Sequence, residues 1–201
     1  MVASTGLPLI ISLGIGFKEE YLDIINDITR DYNNDVTLLH CNNAYPTPIS
    51  DINLNTIPHL IKNTNYNVGL SDHTESTLTP SLAVAMGATV IEKHYTLSKH
   101  LPGPDHPFAI EPHELKEMID NIRLTETMLG GIKGEFSKSE LDFAKARRSI
   151  VAKTPIKKGE ILTLDNMTTK RPYLEGNIPA SEWFNILGEK STKSYKPDDF
   201  I

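Results

Sequence analysis

Four short apolar runs, each followed by a stretch with helical spacing, constrain this chain more than any other feature. The runs are Leu9–Ser12, Val36–Cys41, Asn67–Ser71 and Thr89–His94. After the first, Tyr21, Ile24, Ile25 and Ile28 recur at helical spacing between Phe17 and Thr29. After the second, Pro46 and Pro48 break the chain, and a helix from about Ser50 would bury Leu54, Ile57 and Leu60. Glu75 to Met86 is rich in Leu and Ala and ends at Gly87, a C-capping residue. Glu111 to Leu129 opens on Glu111-Pro112 and closes at Gly130-Gly131. Strands separated by helices pair in parallel, so the spacing predicts an α/β fold with a parallel sheet.

In such sheets functional residues gather where strands end. Here the ends are polar: His-Cys-Asn-Asn-Ala-Tyr45 after the second run, Ser71-Asp-His73-Thr74 after the third, Glu92-Lys-His94-Tyr95 after the fourth. Residues two apart share a face, so Ser71 goes with His73, Glu92 with His94, and Asn43 with Cys41 and Tyr45. If these faces point inward, two imidazoles, a hydroxyl, an amide and a phenol converge at one mouth. Two histidines on adjacent strands make half of a divalent-metal site. The same pair would also suit hydrogen-bonded core positions, and spacing alone does not choose. Gly14 and Gly16 offer backbone N–H groups to a phosphate, or simply a turn.

A length of 201 residues with 39% hydrophobic content allows one sizeable core and a small second domain. The net charge of -6 gives no basic footprint for nucleic acid. Cys41 is the one cysteine, so no internal disulfide forms, and a reducing cytoplasmic setting is expected. The apolar opening is broken by Gly6, Pro8, Gly14 and Gly16, which argues against a signal or membrane segment.

The strings Leu38-Leu-His-Cys-Asn-Asn-Ala-Tyr-Pro-Thr-Pro48, Val68-Gly-Leu-Ser-Asp-His-Thr74, Gly87-Ala-Thr-Val-Ile-Glu-Lys-His94 and Leu101-Pro-Gly-Pro-Asp-His106 closely resemble the sialic acid synthase family. The resemblance runs from about Leu9 to Ile201. It implies condensation of phosphoenolpyruvate with an N-acetylated amino sugar, N-acetylmannosamine or an analogue, releasing phosphate. Leu101 to His106 looks more like the neuraminate and legionaminate branches than the pseudaminate branch. The family's barrel has eight strands and this chain matches the last four. The expected architecture is therefore the C-terminal half of a (β/α)8 TIM barrel, residues 1–130, a fragment or short form lacking the earlier-strand lysines. A polar stretch, 131–147, that reads as a linker or a solvated helix, and a small β-rich antifreeze-like (SAF) domain, 148–201, follow. Within that domain, Arg148–Lys153 and Ile161–Thr163 read as strands and Leu187–Lys190 fits a later one.

By the same resemblance, His73 and His94 are the catalytic metal pair, for Mn2+ or Mg2+. Ser12, Asn43 and Ser71 match phosphoenolpyruvate contacts, and Tyr45 and Asp105 match sugar contacts. Ser12-Leu13-Gly14-Ile15 stands where members usually carry Ser-Thr-Gly-Met. Arg171 matches the residue that reaches the sugar's acetamido group from the partner of a domain-swapped homodimer. Individually, Ser71 or Asp72 would also serve as a helix cap, Asp105 as a turn residue, and Glu92 as a ligand-orienting group or a partner for lysine. His40, His59, His100 and His113 read as ordinary surface or helix histidines, and His106 as a residue of open role. The rival readings are another metal-dependent barrel aldolase and a non-catalytic carbohydrate-binding or accessory fragment.

Overall fold

The computed structural model describes residues 2–14, 18, 20–30, 35–134 and 136–201. Gly16, the helix start at Phe17 and the side chain of Ile28 lie outside what it describes. The chain forms two compact units, Met1–Gly130 and Gly131–Ile201.

In the first unit, β1 (Leu9–Ser12), β2 (Val36–Cys41), β3 (Asn67–Asp72) and β4 (Val90–Lys93) form one sheet in the order β1-β2-β3-β4, parallel throughout. The crossovers carry α1 (Glu20–Thr29), α2 (Thr56–Asn63) and α3 (Thr79–Ala85), and α4 (Pro112–Leu129) follows β4. Strands laid down in chain order with helices between them are half of a (β/α)8 barrel wall, as the sequence predicts. Alternation divides the sheet into two faces. Leu13, Val36, Leu38, Val68 and Leu70 pack with Ile25, Ile57, Leu60 and Ala83 from the helices. Ile10, Ser12, Leu39, Cys41, Gly69, Ser71, Val90 and Glu92 take the other face by register.

Gly69 lets that second face close up. A Cβ there would stand 2.4 Å from the Val90 carbonyl oxygen and 2.6 Å from Leu39 Cδ2, so Leu39 packs across the glycine and is only 1% exposed. Gly69→Ala is expected to cost about 1–3 kcal/mol, read from the urea midpoint, because the backbone has to yield. A midpoint equal to wild type would mean that β3 and β4 part without cost.

Two charges sit on the helix side of the sheet. Lys93 Nζ is 2.8 Å from Asp72 Oδ2, with side chains 4% and 0% exposed. The other Asp72 oxygen accepts the Thr74 N–H at 2.9 Å, and Lys93 also donates to the Thr74 carbonyl. His40, expected at the surface, is instead buried on this face, its Nε2–H donating to the Ile52 carbonyl at 2.6 Å.

The helix bounds differ from expectation for local reasons. Ile49–Asp51 is a 3-10 turn and α2 starts only at Thr56, after Asn53 in the left-handed region (φ 48°). Before α3, the Thr74 hydroxyl takes the Ser76 N–H and the Ser76 hydroxyl takes those of Leu78 and Thr79. These side chains occupy donors that an earlier helix start would use.

In the second unit, β5 (Ser149–Ala152) and β6 (Met167–Lys170) pair antiparallel over a core of Ile150, Ala152, Ile156, Leu162, Met167 and Tyr195. A short α5 (Trp183–Ile186) covers part of it. Ile161 and Lys190, expected within strands, meet as one isolated bridge rather than a ladder. Residues 138–146, within the stretch expected as a linker or a solvated helix, form a 3-10 helix capped by Ser137 and Glu140. Bonds from Lys133 and Ser137 pull the Glu140 carboxyl down to about 2.

Candidate active site at the strand ends

β3 and β4 finish in step, with Ser71 opposite Glu92 and Asp72 opposite Lys93. The next residues along the same face are His73 and His94, and their ring centroids lie 5.1 Å apart at 64°. Tyr45 stands 4.2 Å from His73 and 5.8 Å from His94, centroid to centroid. Phe108 closes the group, 5.1 Å from His94 and 5.7 Å from Tyr45.

β2 ends at Cys41, so strand alternation does not carry Asn43 and Tyr45 to this place. The loop does. The Thr47 N–H donates to the His73 carbonyl at 2.8 Å, the Thr47 hydroxyl bonds the carbonyls of Asn42 and Ala44, and the Tyr45–Pro46 bond is cis.

His73 is buried, and its Nδ1–H donates to the Asn42 carbonyl at 2.7 Å. In the neutral ring this leaves Nε2 as the lone-pair nitrogen, the tautomer a metal ligand needs. Cys41 Sγ lies 3.9 Å from the same Nδ1 and donates to Asn43 Oδ1 at 3.4 Å. His94, one-third exposed, has Nδ1 3.7 Å from Asp105 Oδ2, and Asp105 is 64% exposed. One register step below the imidazoles, the buried Ser71 hydroxyl donates to Glu92 Oε1 at 2.6 Å, so Ser71 caps no helix. Asn43 lies against the loop after β1: a Cβ on Gly14 would fall 1.8 Å from its Oδ1.

His73, His94, Tyr45 and Asp105 are therefore brought together, with Ser71 beneath them. Ser12 is exposed at the end of β1, opposite Leu39, and Asn43 sits by the neighbouring loop. Arg171 belongs to the second unit, where its Nε–H donates to the Ala146 carbonyl at 2.7 Å. Phe108 and Asn42 join the site without a signal in the sequence pattern. Phe108 follows Asp105-His-Pro in an apolar stretch that looks like core, and a carbonyl acceptor leaves no mark in the side-chain pattern. His106 proves to support the loop, its Nδ1 2.7 Å from the buried Thr96 hydroxyl.

A second set of possible ligands, Glu111, His113 and Glu114, lies within 4.8 Å at the start of α4. Its carboxylates already have partners. Glu111 takes the Lys99 N–H, and Glu114 takes the Lys99 ammonium at 2.7 Å and the Glu111 N–H at 2.8 Å. Burial pushes the Glu114 carboxyl up, but the bonds from Lys99 and the Glu111 N–H outweigh it and hold the group below its ordinary value. The arrangement works as a capping box tied to a lysine. Among the described residues, no helix is long and apolar enough to cross a membrane.

Residues 1–134 match the model of the NeuB family, and residues 147–201 match that of the SAF domain. An uncharacterized protein of Methanocaldococcus jannaschii is 45% identical over 201 residues, covering 100% of this chain and 59% of that one. An N,N'-diacetyllegionaminic acid synthase of Campylobacter jejuni is 38% identical, covering 100% of this chain and 60% of its own length. Among solved structures, an N-acetylneuraminic acid (sialic acid) synthetase of Leptospira borgpetersenii superposes with a TM-score of 0.65 at 33% identity, over 72% of this chain and 50% of that one. The chain thus spans about three-fifths of the length of these curated relatives.

Proposed function

Because the chain belongs to the NeuB family and carries a SAF domain, we propose that it serves a sialic-acid-synthase-type reaction. Phosphoenolpyruvate would condense with an N-acetylated amino sugar, N-acetylmannosamine or a close analogue, and phosphate would be released. The observation that carries this reading is the His73–His94 pair at matched ends of adjacent parallel strands, with His73 held in the ligand tautomer by Asn42.

His73 and His94 would hold one divalent ion, Mn2+ or Mg2+, which when bound supplies Lewis-acid polarisation of the open-chain sugar aldehyde. Asn43 and Ser12 would position phosphoenolpyruvate through short polar donors, joined by Ser71 once its hydroxyl turns from Glu92 to the substrate. Tyr45 and Asp105 would hold the sugar, and Phe108, 7% exposed, would wall the site against water. Arg171 would reach the acetamido group in a partner's site of a domain-swapped dimer, where its planar fork makes paired hydrogen bonds.

Manganese calorimetry tests the metal pair. His73→Ala and His94→Ala are each expected to weaken binding by about tenfold or more, while His113→Ala leaves it unchanged. Binding that survives loss of either strand-end histidine, or that falls with His113, would move the metal elsewhere. For the sugar contact, Arg171→Ala in an active dimer is expected to raise KM for the amino sugar well above any change for phosphoenolpyruvate. Equal changes in both would remove Arg171 from the sugar.

A further inference from the structure

At the end of the sheet away from the imidazoles, the first unit carries a second concavity. Leu22 and Asn26 of α1, Asn63 of α2 and the connection Thr64-Asn65-Tyr66 line a cleft of about 290 Å³. Tyr66 directly precedes β3 and His73 directly follows it. At about 3.3 Å per strand residue the two places are roughly 20 Å apart, so a small ligand held at one does not touch the other.

The local sequence builds this cleft from amides and hydroxyls. The run Asn63-Thr-Asn-Tyr66 ends α2 without a glycine, because its side chains take up carbonyls of the last turn. Asn63 Nδ2–H donates to the His59 carbonyl at 2.8 Å, and the Thr64 hydroxyl to the Leu60 carbonyl at 2.9 Å. Across the cleft the Tyr66 hydroxyl donates to Asn26 Oδ1, which ties the connection to α1. The phenol oxygen also lies 3.5 Å from the hydroxyl of the buried Thr29, itself fastened to the Ile25 carbonyl at 2.7 Å. Leu22 and Tyr66 pack against the core of the unit and give the cleft an apolar floor. The lining is thus held from both helices and the start of β3 before anything binds, which spares a ligand the cost of ordering it.

These bonds also decide what the walls present. With Asn26 Oδ1 taken by the phenol, the NH2 of Asn26 is left as a donor; with the NH2 of Asn63 turned to His59, Asn63 Oδ1 is left as an acceptor. Exposed Asn65 adds a third amide that offers both. Among the described residues no charged side chain lines the cleft, so a phosphate or carboxylate finds no cation in it. Neutral donors and acceptors over an apolar floor suit a sugar ring, whose hydroxyls both donate and accept and whose C–H face is apolar. The volume stands at the lower end of small-molecule sites, which run on the order of 300–1,000 Å³, and suits one ring rather than a chain of them.

We propose that this cleft binds one uncharged monosaccharide, held by Asn26, Asn63 and Asn65 over Leu22 and Tyr66, as a site additional to the one at the strand ends. Titration of the 15N-labelled chain with D-glucose, D-mannose, D-galactose and N-acetylglucosamine, followed by NMR at the side-chain NH2 signals of the three asparagines, tests it. At least one of the four sugars is expected to shift these signals saturably. Asn26→Ala and Asn65→Ala should each weaken that binding by about fivefold or more, the worth of one hydrogen bond, and the same spectra report whether each variant is folded. Tyr66→Phe, which keeps the ring and unties Asn26, should weaken it less than Asn26→Ala. Ser71→Ala and His73→Ala should leave it unchanged. Sorbitol, with the hydroxyls but no ring, should bind more weakly, and glucose 6-phosphate no more tightly than glucose when read at the same signals. Failure of all four sugars to give saturable shifts, binding that survives both asparagine variants, binding lost with His73→Ala, or tighter binding of sorbitol or of the phosphate ester would each overturn the assignment. None of these outcomes depends on synthase activity.

Discussion

Lys93→Met is expected to lower the unfolding free energy of the chain by about 3–5 kcal/mol, the cost of leaving a buried charge without its partner. Asp72 is fully buried, and its Oδ2 loses the ammonium 2.8 Å away, leaving the carboxylate with the Thr74 N–H. Asp72→Asn combined with Lys93→Met removes both charges and should recover much of the loss, since an apolar or neutral replacement of a whole pair is often close to neutral. Urea unfolding of the wild type and the three variants forms a double-mutant cycle, and additive losses would show that the two charges do not support each other. The proposed metal site depends on the same pair. Asp72 and Lys93 each directly precede an imidazole, so the pair fixes the strand ends from which His73 and His94 project. Manganese affinity should fall with Lys93→Met and return in the double variant.

The sequence already showed the four strands, because each is an apolar run of unmistakable length with a helical stretch behind it. His73 and His94 were also legible, since register-matched strands place residues by parity and both lie one step past a strand end. Tyr45 reached the site for a reason parity does not supply: β2 stops at Cys41, and the Thr47–His73 backbone bond brings the loop across. The Lys93–Asp72 pair was hidden because its members stand 21 residues apart and become neighbours only once β3 and β4 are registered. Alternation does distinguish Lys93 from Glu92, however: a lysine between Glu92 and His94 has to face the helices, where a charge needs burial with a partner. In the second unit, outside the β5–β6 pair, turns and isolated bridges replace ladders, so an apolar pair such as Ile161 and Leu162 stands there without a strand forming.

On the proposed function, the chain purified as its 201 residues should release essentially no phosphate from phosphoenolpyruvate and N-acetylmannosamine. The open face of the sheet supplies Ser12, Cys41, Ser71, Glu92 and the two imidazoles, but no lysine or arginine; Lys93 points to the opposite face and is committed to Asp72. The phosphate and carboxylate of phosphoenolpyruvate would thus meet Glu92 and no permanent cation from these four strands. Each missing charge-assisted contact is worth about 1.5–3 kcal/mol, so three of them would amount to roughly 5–9 kcal/mol, or about 10⁴–10⁷ in rate. The sheet itself calls for more wall, because β1 and β4 each have a strand neighbour on one side only among the described residues. Co-expressing the part of a curated relative that precedes the matched region should provide both cations and strands, and phosphate release dependent on both substrates should then appear. The same release should vanish again with His73→Ala, which separates a completed site from activity of the added segment alone. Robust turnover by the unaided chain would mean that the anionic substrate is neutralised by groups other than those on this sheet.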